Sequence, residues 1–600
     1  MFRYVCLVSL IISLTQGCGG SSGGGTTTLP TPTTSPTTSP TATPTTTPTT
    51  TVTPTPTPSS GVCPVATPVV CPTPTITPTT TPTPMITPIP TPEASVRVEI
   101  TGRVTYDFVP HLSTGALDYD SISELPVRGA TVHGLNSSGT VVAEATTDTS
   151  GDYTLYVTEN TNIRVRVRAE LLQYGAPQWH FSVTDNTSSN ALYVMDGDLA
   201  DSGPTGDERN LLASSGWTGS SYGNARVAAP FAILDSVYEA LQHVLIASPS
   251  ARLAPTQLRW SINNRAVDGS RSDGAIRTSF YDPSENNMYI LGDENNDTDE
   301  YDKSVIQHEL AHYLEDTVSR SDSLGGDHSL NSSLDMRVAF GEGFANAFSG
   351  IASGQPIYSD SSGIDQGRGF SFSLEQNSFN DLGWFSENSV GKVIYDIADA
   401  ENEGVDSLAL GFTPIYQAMT SDEYVEASSL TSIYLFAQRL RELSDATVDS
   451  GIDALLEAES IFGVDEYGTG ETNDSTSDAS FILPVYQSID LGNTVNVCSN
   501  NREGEYNGVD NRRFIRLSIT ECDKYRFQAS TTLGTGDKDP DIDILQQGNV
   551  AERLDSGVID SEQACVTLGP GDYVVEVFDF GNVDGFAGGG SACFDVTIDR

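Results

Sequence analysis

His308-Glu309-Leu310-Ala311-His312 is the segment of this chain whose residue types and spacing point most directly to chemistry. At about 3.6 residues per helical turn, side chains four positions apart fall about 40° from eclipsed, so both imidazoles enter one volume and can chelate a single Zn²⁺. Glu309 is then placed to take a proton from an attacking water. With 7 His and 80 acidic residues in 600 positions, about 0.01 copies of the pattern are expected by accident. The competing reading is two surface histidines on an amphipathic helix. Against it stand Ile306, Leu310 and Leu314, which supply a core face beside the histidine face.

Zinc needs a third protein ligand. A metzincin would carry Gly three residues and His six residues after His312, but those places hold Glu315 and Val318, so that class is excluded. Phe340-Gly341-Glu342-Gly343-Phe344-Ala345-Asn346-Ala347-Phe348 predicts a second helix with Phe340, Phe344, Ala347 and Phe348 on its buried face. Glu342, amid small and aromatic residues, is costly to bury unless it meets a charge or a metal. Asp335, at an N-cap position of this helix, is the rival ligand. The set His308, His312 and Glu342 resembles the gluzincin arrangement of thermolysin-like and fungalysin-like metallopeptidases. That resemblance implies a zincin-like α+β domain in which the glutamate of the second helix completes the zinc site. It also implies an aspartate four residues on that orients the first zinc histidine. Here that place holds Asn346, whose amide oxygen can accept the same imidazole N–H.

The resemblance further implies a His or Tyr that stabilises the tetrahedral intermediate, and the two candidates are His328, after Gly325-Gly326-Asp327, and Tyr395, on a helix beginning near Asn388. Asn287-Met288-Tyr289-Ile290-Leu291 predicts a strand, and zincins place an edge strand just before the active-site helix to pair with an extended peptide. Between strand and helix, Asp293, Asn295 and Asp297 alternate as in calcium loops, but without the glycine and glutamate such loops carry. Calcium there stands against a solvated acidic loop. Asp299 or Asp302 is expected to cap the following helix.

Several elements must hold these residues in place. Arg3 and the apolar run Val5–Leu14 read as an export signal over 1–17, too short for the ~20 residues of a membrane span. Leu14-Thr15-Gln16-Gly17-Cys18 resembles a bacterial lipoprotein processing site, with ordinary signal cleavage nearby as the alternative. Residues 18–94 are Gly/Ser-rich and then Thr/Pro-rich, a stiff extended spacer interrupted by Cys63 and Cys71. Residues 95–198 alternate with period two, as at Ile163-Arg164-Val165-Arg166-Val167, and predict a small antiparallel sandwich. Its phrases Thr101-Gly102-Arg103-Val104, Pro126–Val132 and Thr146–Leu155 resemble the carboxypeptidase regulatory-like module. Residues 199–480 hold the metallopeptidase section. Residues 481–600 predict a second sandwich, and Asp541-Ile542-Asp543-Ile544 followed by Leu568-Gly569-Pro570-Gly571-Asp572-Tyr573 resembles the pre-peptidase C-terminal-like sandwich of secreted bacterial peptidases. The fold class expected is therefore multidomain: β-sandwich, α+β zincin-like domain, β-sandwich.

Hydrophobic residues make up 37% of the chain, too few for 600 residues folded throughout, while 23 Tyr and 22 Phe are too many for a disordered chain. A net charge of −50 disfavours nucleic acid and anionic membranes as partners, leaving membrane contact only through a lipid on Cys18. Cys498, Cys522, Cys565 and Cys593 cluster near the C-terminus and suit disulfides in an oxidising compartment. The activity expected is that of a secreted or surface-tethered zinc metalloendopeptidase acting on extended peptides. The alternative is an inactive surface adhesin that retains a metallopeptidase-like fold.

Overall fold

The computed structural model describes residues 96–376, 382–401, 404–473, 481–584 and 589–600. The export signal, Cys18, the spacer, and Cys63 and Cys71 lie outside these residues.

Period-two patterning produces strands where it is expected. In Arg97–Phe108 (β1), Val98, Ile100, Val104 and Tyr106 are buried, and in Asn162–Gln173 so are Ile163, Val165, Val167 and Ala169. The main sheet uses Ala130–Asn136 (β2), Val141–Thr146 (β3), Asn162–Gln173 (β4), Trp179–Asp185 (β5), Thr256–Trp260 (β6), Phe280–Asp282 (β7) and Asn287–Ile290 (β8), in the order β7-β8-β6-β5-β4-β2-β3. Pairing is parallel for β6 with β5 and with β8, and antiparallel for β7 with β8.

This order corrects two expectations. The boundary placed at residue 198 does not separate two sheets, because β5 and β6 pair in register from Phe181–Thr256 to Thr184–Arg259, and Leu211–Ala213 pairs with β1. Helix α1 (Ala229–Ala247) fuses the sections: it packs on β1, β4 and β5, and its buried Asp235 receives the Tyr106 hydroxyl at 2.8 Å and the Arg128 guanidinium at 2.6 Å. The strand expected at the edge, β8, lies inside the sheet. The edge is β7, only three residues long.

Three helices carry the site. Helix α2 (Lys303–Val318) is buried on most of its circumference, since its apolar face packs into the core and its histidine face is covered by other elements. Asp302 stands at its N-cap position without a capping bond, and its carboxylate instead meets His111 Nε2 at 2.7 Å and accepts the Ser361 amide at 2.9 Å. Helix α3 (Met336–Ser353) starts at Asp335, which accepts the Arg337 amide at 3.0 Å, and ends at Gly354, whose φ of 65° suits glycine. Strands β9 (Ile357–Ser362) and β10 (Arg368–Ser373) follow as a hairpin, and then helix α4 (Glu387–Ala398). Gly343 allows α3 and α4 to meet at backbone distance: a Cβ there would lie 2.6 Å from Val390 Cγ1 and 2.9 Å from the Glu387 carbonyl.

Residues 486–599 form two facing antiparallel-rich sheets around their own core, which includes Ile515, Phe527, Ile542, Val575 and Phe594. Cys498 is bonded to Cys593, and Cys522 and Cys565 are disulfide-bonded as well. Phe514 and Val574 leave that core and pack into the helical one. The chain is thus rich in β-sheet, with its helices concentrated in the middle section. Among the described residues no helix is long and apolar enough to cross a membrane.

Candidate metal centre

His308 and His312, one turn apart on α2, bring their Nε2 atoms to 3.2 Å from each other. Glu342 reaches across from α3 and sets Oε2 3.2 Å from His308 Nε2 and 3.4 Å from His312 Nε2. An ion ~2.0–2.1 Å from three donors at tetrahedral angles separates those donors by about 3.3–3.4 Å, so the three atoms have the spacing that zinc requires. All three residues are buried. Their outer atoms are also held. His308 Nδ1 lies 3.0 Å from Asn346 Oδ1, and His312 Nδ1 lies 3.3 Å from Glu315 Oε2, which leaves Nε2 of each ring free to face inward.

Electrostatics favour a charged ligand set. Burial penalises the Glu342 carboxylate, but His328, His312 and the bond from His308 outweigh it and hold its pKa well below the usual range. Glu309 moves the other way: burial raises its pKa, although its Oε2 accepts the Tyr281 amide from β7 at 2.8 Å. A buried carboxylate with a raised pKa, steadied by one backbone donor, has the chemistry of a group that can take up a proton more readily than an exposed one.

His328 stands beside this set. Its Nε2 is 3.5 Å from Glu342 Oε1 and its Nδ1 is 3.0 Å from Glu387 Oε2, at the first turn of α4. Burial opposes its charge, yet the two carboxylates raise its pKa to about 9. The ring stands between the two carboxylates at ion-pair distance, but neither nitrogen meets hydrogen-bond geometry, and His328, Glu342 and Glu387 bring one donor atom each within 4.8 Å of one another.

Tyr395, the other candidate, is not at this centre. Its ring packs against Gly350 and lines a separate cavity of about 320 Å³ with His243 and Glu375. Tyr358 of β9 is present instead, edge-on to His308 at 6.1 Å between ring centroids and stacked on Phe372. Asp335 is engaged by Arg337 at 2.8 Å and caps α3, so the rival third ligand is occupied elsewhere.

The expected calcium set is also divided. Asp293 and Asn295 form an exposed turn, with the Asn295 amide donating to Asp293 at 3.0 Å. Asp297 joins Asp299 and Asp360, their oxygens within 4.8 Å of one another, and burial, with the nearby Asp302 carboxylate, raises all three pKa values. Asp299 receives the Ser279 hydroxyl, so it does not act as a helix cap. A narrow cavity of about 40 Å³ runs from His308 and Glu309 past Tyr358 to these carboxylates.

No known family matches this chain. No curated protein matches it either. Among solved structures, the pre-peptidase C-terminal domain of a collagenase from Bacillus anthracis is similar at 14% identity and a TM-score of 0.15, covering 19% of this chain and 94% of its own. PliG of Aeromonas hydrophila, a periplasmic inhibitor of g-type lysozyme, gives 11% identity and a TM-score of 0.14 over 19% of this chain and 96% of its own. A cycloisomaltooligosaccharide glucanotransferase of Paenibacillus gives 10% and 0.12 over 83% and 72%. Likenesses at these scores carry no inference about this chain, and its chemistry rests on its own residues.

Glu315, Glu387 and Tyr358 are the site residues that the sequence reading does not single out. Only Glu315 has a local signal, its spacing of three residues from His312 on one helix face.

Proposed function

We propose that this protein is a zinc-dependent metalloendopeptidase, exported and either secreted or tethered at the cell surface. The observation that carries the reading is the 3.2–3.4 Å spacing of three buried donor atoms from His308, His312 and Glu342. Zinc bound there supplies a Lewis acid that polarises a carbonyl oxygen and lowers the pKa of water. Glu309 takes the proton from the attacking water and passes it to the leaving amine. Asn346 and Glu315 each accept an Nδ1–H and so keep both zinc histidines in the ligating tautomer. His328 offers its N–H to the charge that develops on the carbonyl oxygen. An extended peptide is the substrate, gripped along the β7 edge. That edge is short and its Tyr281 amide is already bonded to Glu309, so the grip comes from few backbone bonds. Calcium, in this reading, belongs to Asp297 with Asp299 and Asp360.

The test is metal analysis together with a cleavage assay on the purified chain. The wild type is expected to bind one zinc and to cut unstructured protein at internal bonds. Glu309→Gln is expected to keep zinc and lose turnover by a factor on the order of 10² or more, while Glu342→Ala loses the metal. A wild-type chain that holds zinc yet cleaves neither casein, gelatin nor a peptide library would leave the adhesin reading standing.

A further inference from the structure

The segment that carries His328 has no regular secondary structure, so what fixes that imidazole must come from its neighbours. Among the described residues, several of them belong to the C-terminal sandwich. The Tyr506 hydroxyl donates to the Leu324 carbonyl at 2.9 Å, and Asn507 Nδ2 donates to the carbonyls of Gly325 at 3.1 Å and Asp327 at 3.3 Å. The backbone is stitched as well: the Asp335 amide donates to the Asn507 carbonyl at 2.7 Å and the Val509 amide to the Ser333 carbonyl at 3.0 Å. From the other side, α4 and the residue before its cap contribute the Asn388 amide group on the Leu330 carbonyl and the Phe385 carbonyl on the Leu334 amide.

Two further features mark the contact as built. Tyr506 holds a φ of 73°, a left-handed conformation that a bulky residue adopts only when its surroundings impose it. Those surroundings include Gly326, where a Cβ would lie 2.7 Å from the Tyr506 ring, and Arg512, which bonds the Tyr506 carbonyl and stacks over its ring. Arg337, on the helix that carries Glu342, is clamped between Asp335 and Glu576 of the sandwich at 2.8 and 3.0 Å. The sandwich thus grips the loop of His328 and the start of the helix of Glu342 together.

We infer that the C-terminal sandwich is a working part of the metal centre, and that Asn507 is the positioning residue that sets His328 against Glu342 through the carbonyls of Gly325 and Asp327. The inference rests on the proteolytic reading for the role of His328, but the placement of the loop is independent of it.

The experiment compares full-length wild type with Asn507→Ala and Tyr506→Phe by steady-state kinetics, zinc content and amide hydrogen exchange. Asn507→Ala is expected to lower kcat at least about tenfold with KM within about twofold and zinc still stoichiometric, since a small displacement of a catalytic group costs up to ~10² in rate. Exchange across 324–329 is expected to accelerate while 512–519 stays protected. Tyr506→Phe removes one hydroxyl, keeps the packing on Gly326, and is expected to show the same pattern at smaller amplitude, so it decides the matter if Asn507→Ala does not fold. Wild-type kcat and unchanged exchange in both variants would overturn the inference, and so would a change confined to KM, which would make the sandwich a substrate-docking surface. Exchange is read whether or not the chain hydrolyses anything, so a wild type without activity defeats the proteolytic reading while the loop measurement still decides this one.

Discussion

Asn346 shows how much of this centre is settled by single atoms. Its Oδ1 fixes the tautomer of His308 with a neutral acceptor, a weaker partner for an imidazole N–H than a carboxylate. Asn346→Ala is therefore expected to weaken zinc about 10–100-fold, and Asn346→Asp to tighten it, as measured by competition with a chromogenic chelator. His308, His312, Glu342 and Asn346 were legible because each pair of them is a helical spacing on one of two short segments. Tyr358 was not, since it comes from a strand 46 residues after His312 and no periodicity links the two. The choice between His328 and Tyr395 went undecided for a related reason. Helix α4 is buried on nearly every side, so apolar spacing does not tell which of its residues turns toward His328. The answer is Glu387 in its first turn, next to His328, while Tyr395 faces Gly350.

Elements position these atoms by close approach. Gly343→Ala would return about 1 kcal/mol of helix propensity, but overpacking against Val390 and the Glu387 carbonyl costs typically ~1–3 kcal/mol, so the variant is expected to melt at lower temperature and to lose activity as Glu387 moves away from His328. The strand Pro540–Gln546 carries a different liability. Burial, then Asp539, Glu562 and other carboxylates, raises the Asp541 pKa to about 8. The folded state therefore holds a proton that the unfolded chain releases near pH ~3.9, and the stability associated with it is present below that value and lost as pH rises through about 8. Asp541→Asn is expected to flatten this decline, gaining more melting temperature at pH 8.5 than at pH 5 relative to wild type. The alternation of Asp541, Ile542, Asp543 and Ile544 read as a strand from sequence, but a strand buried along almost its whole length could not be distinguished there from one with a wet face. The interior place of β8 was hidden for the complementary reason: β7 is three residues long and gives no periodic signal.

Across the whole molecule, charge and connectivity act together. Arg337 lies buried among Asp335, Glu576 and the Phe514 ring, and its removal would strip the Asp335 carboxylate of its paired guanidinium and leave Glu576 to Arg512 alone. Arg337→Met is expected to cost ~3–5 kcal/mol in denaturant unfolding, far above the ~0–1 kcal/mol of an exposed pair. Period-two and helical patterning separated strand-rich ends from a helical middle, yet the joins were not legible, because a parallel pairing such as β5 with β6 links residues more than seventy positions apart and leaves no local mark. That pairing bears on how such a chain is inherited. An appended module that owns both its sheets can be lost, duplicated or traded between proteins with little harm to its neighbour. A segment whose strand is the inner partner of the next segment's sheet has no such freedom, for its exchange would strip β6 of one side. Residues 96–198 should then descend with the metal centre as a single lineage, with variation gathering in their hairpin turns.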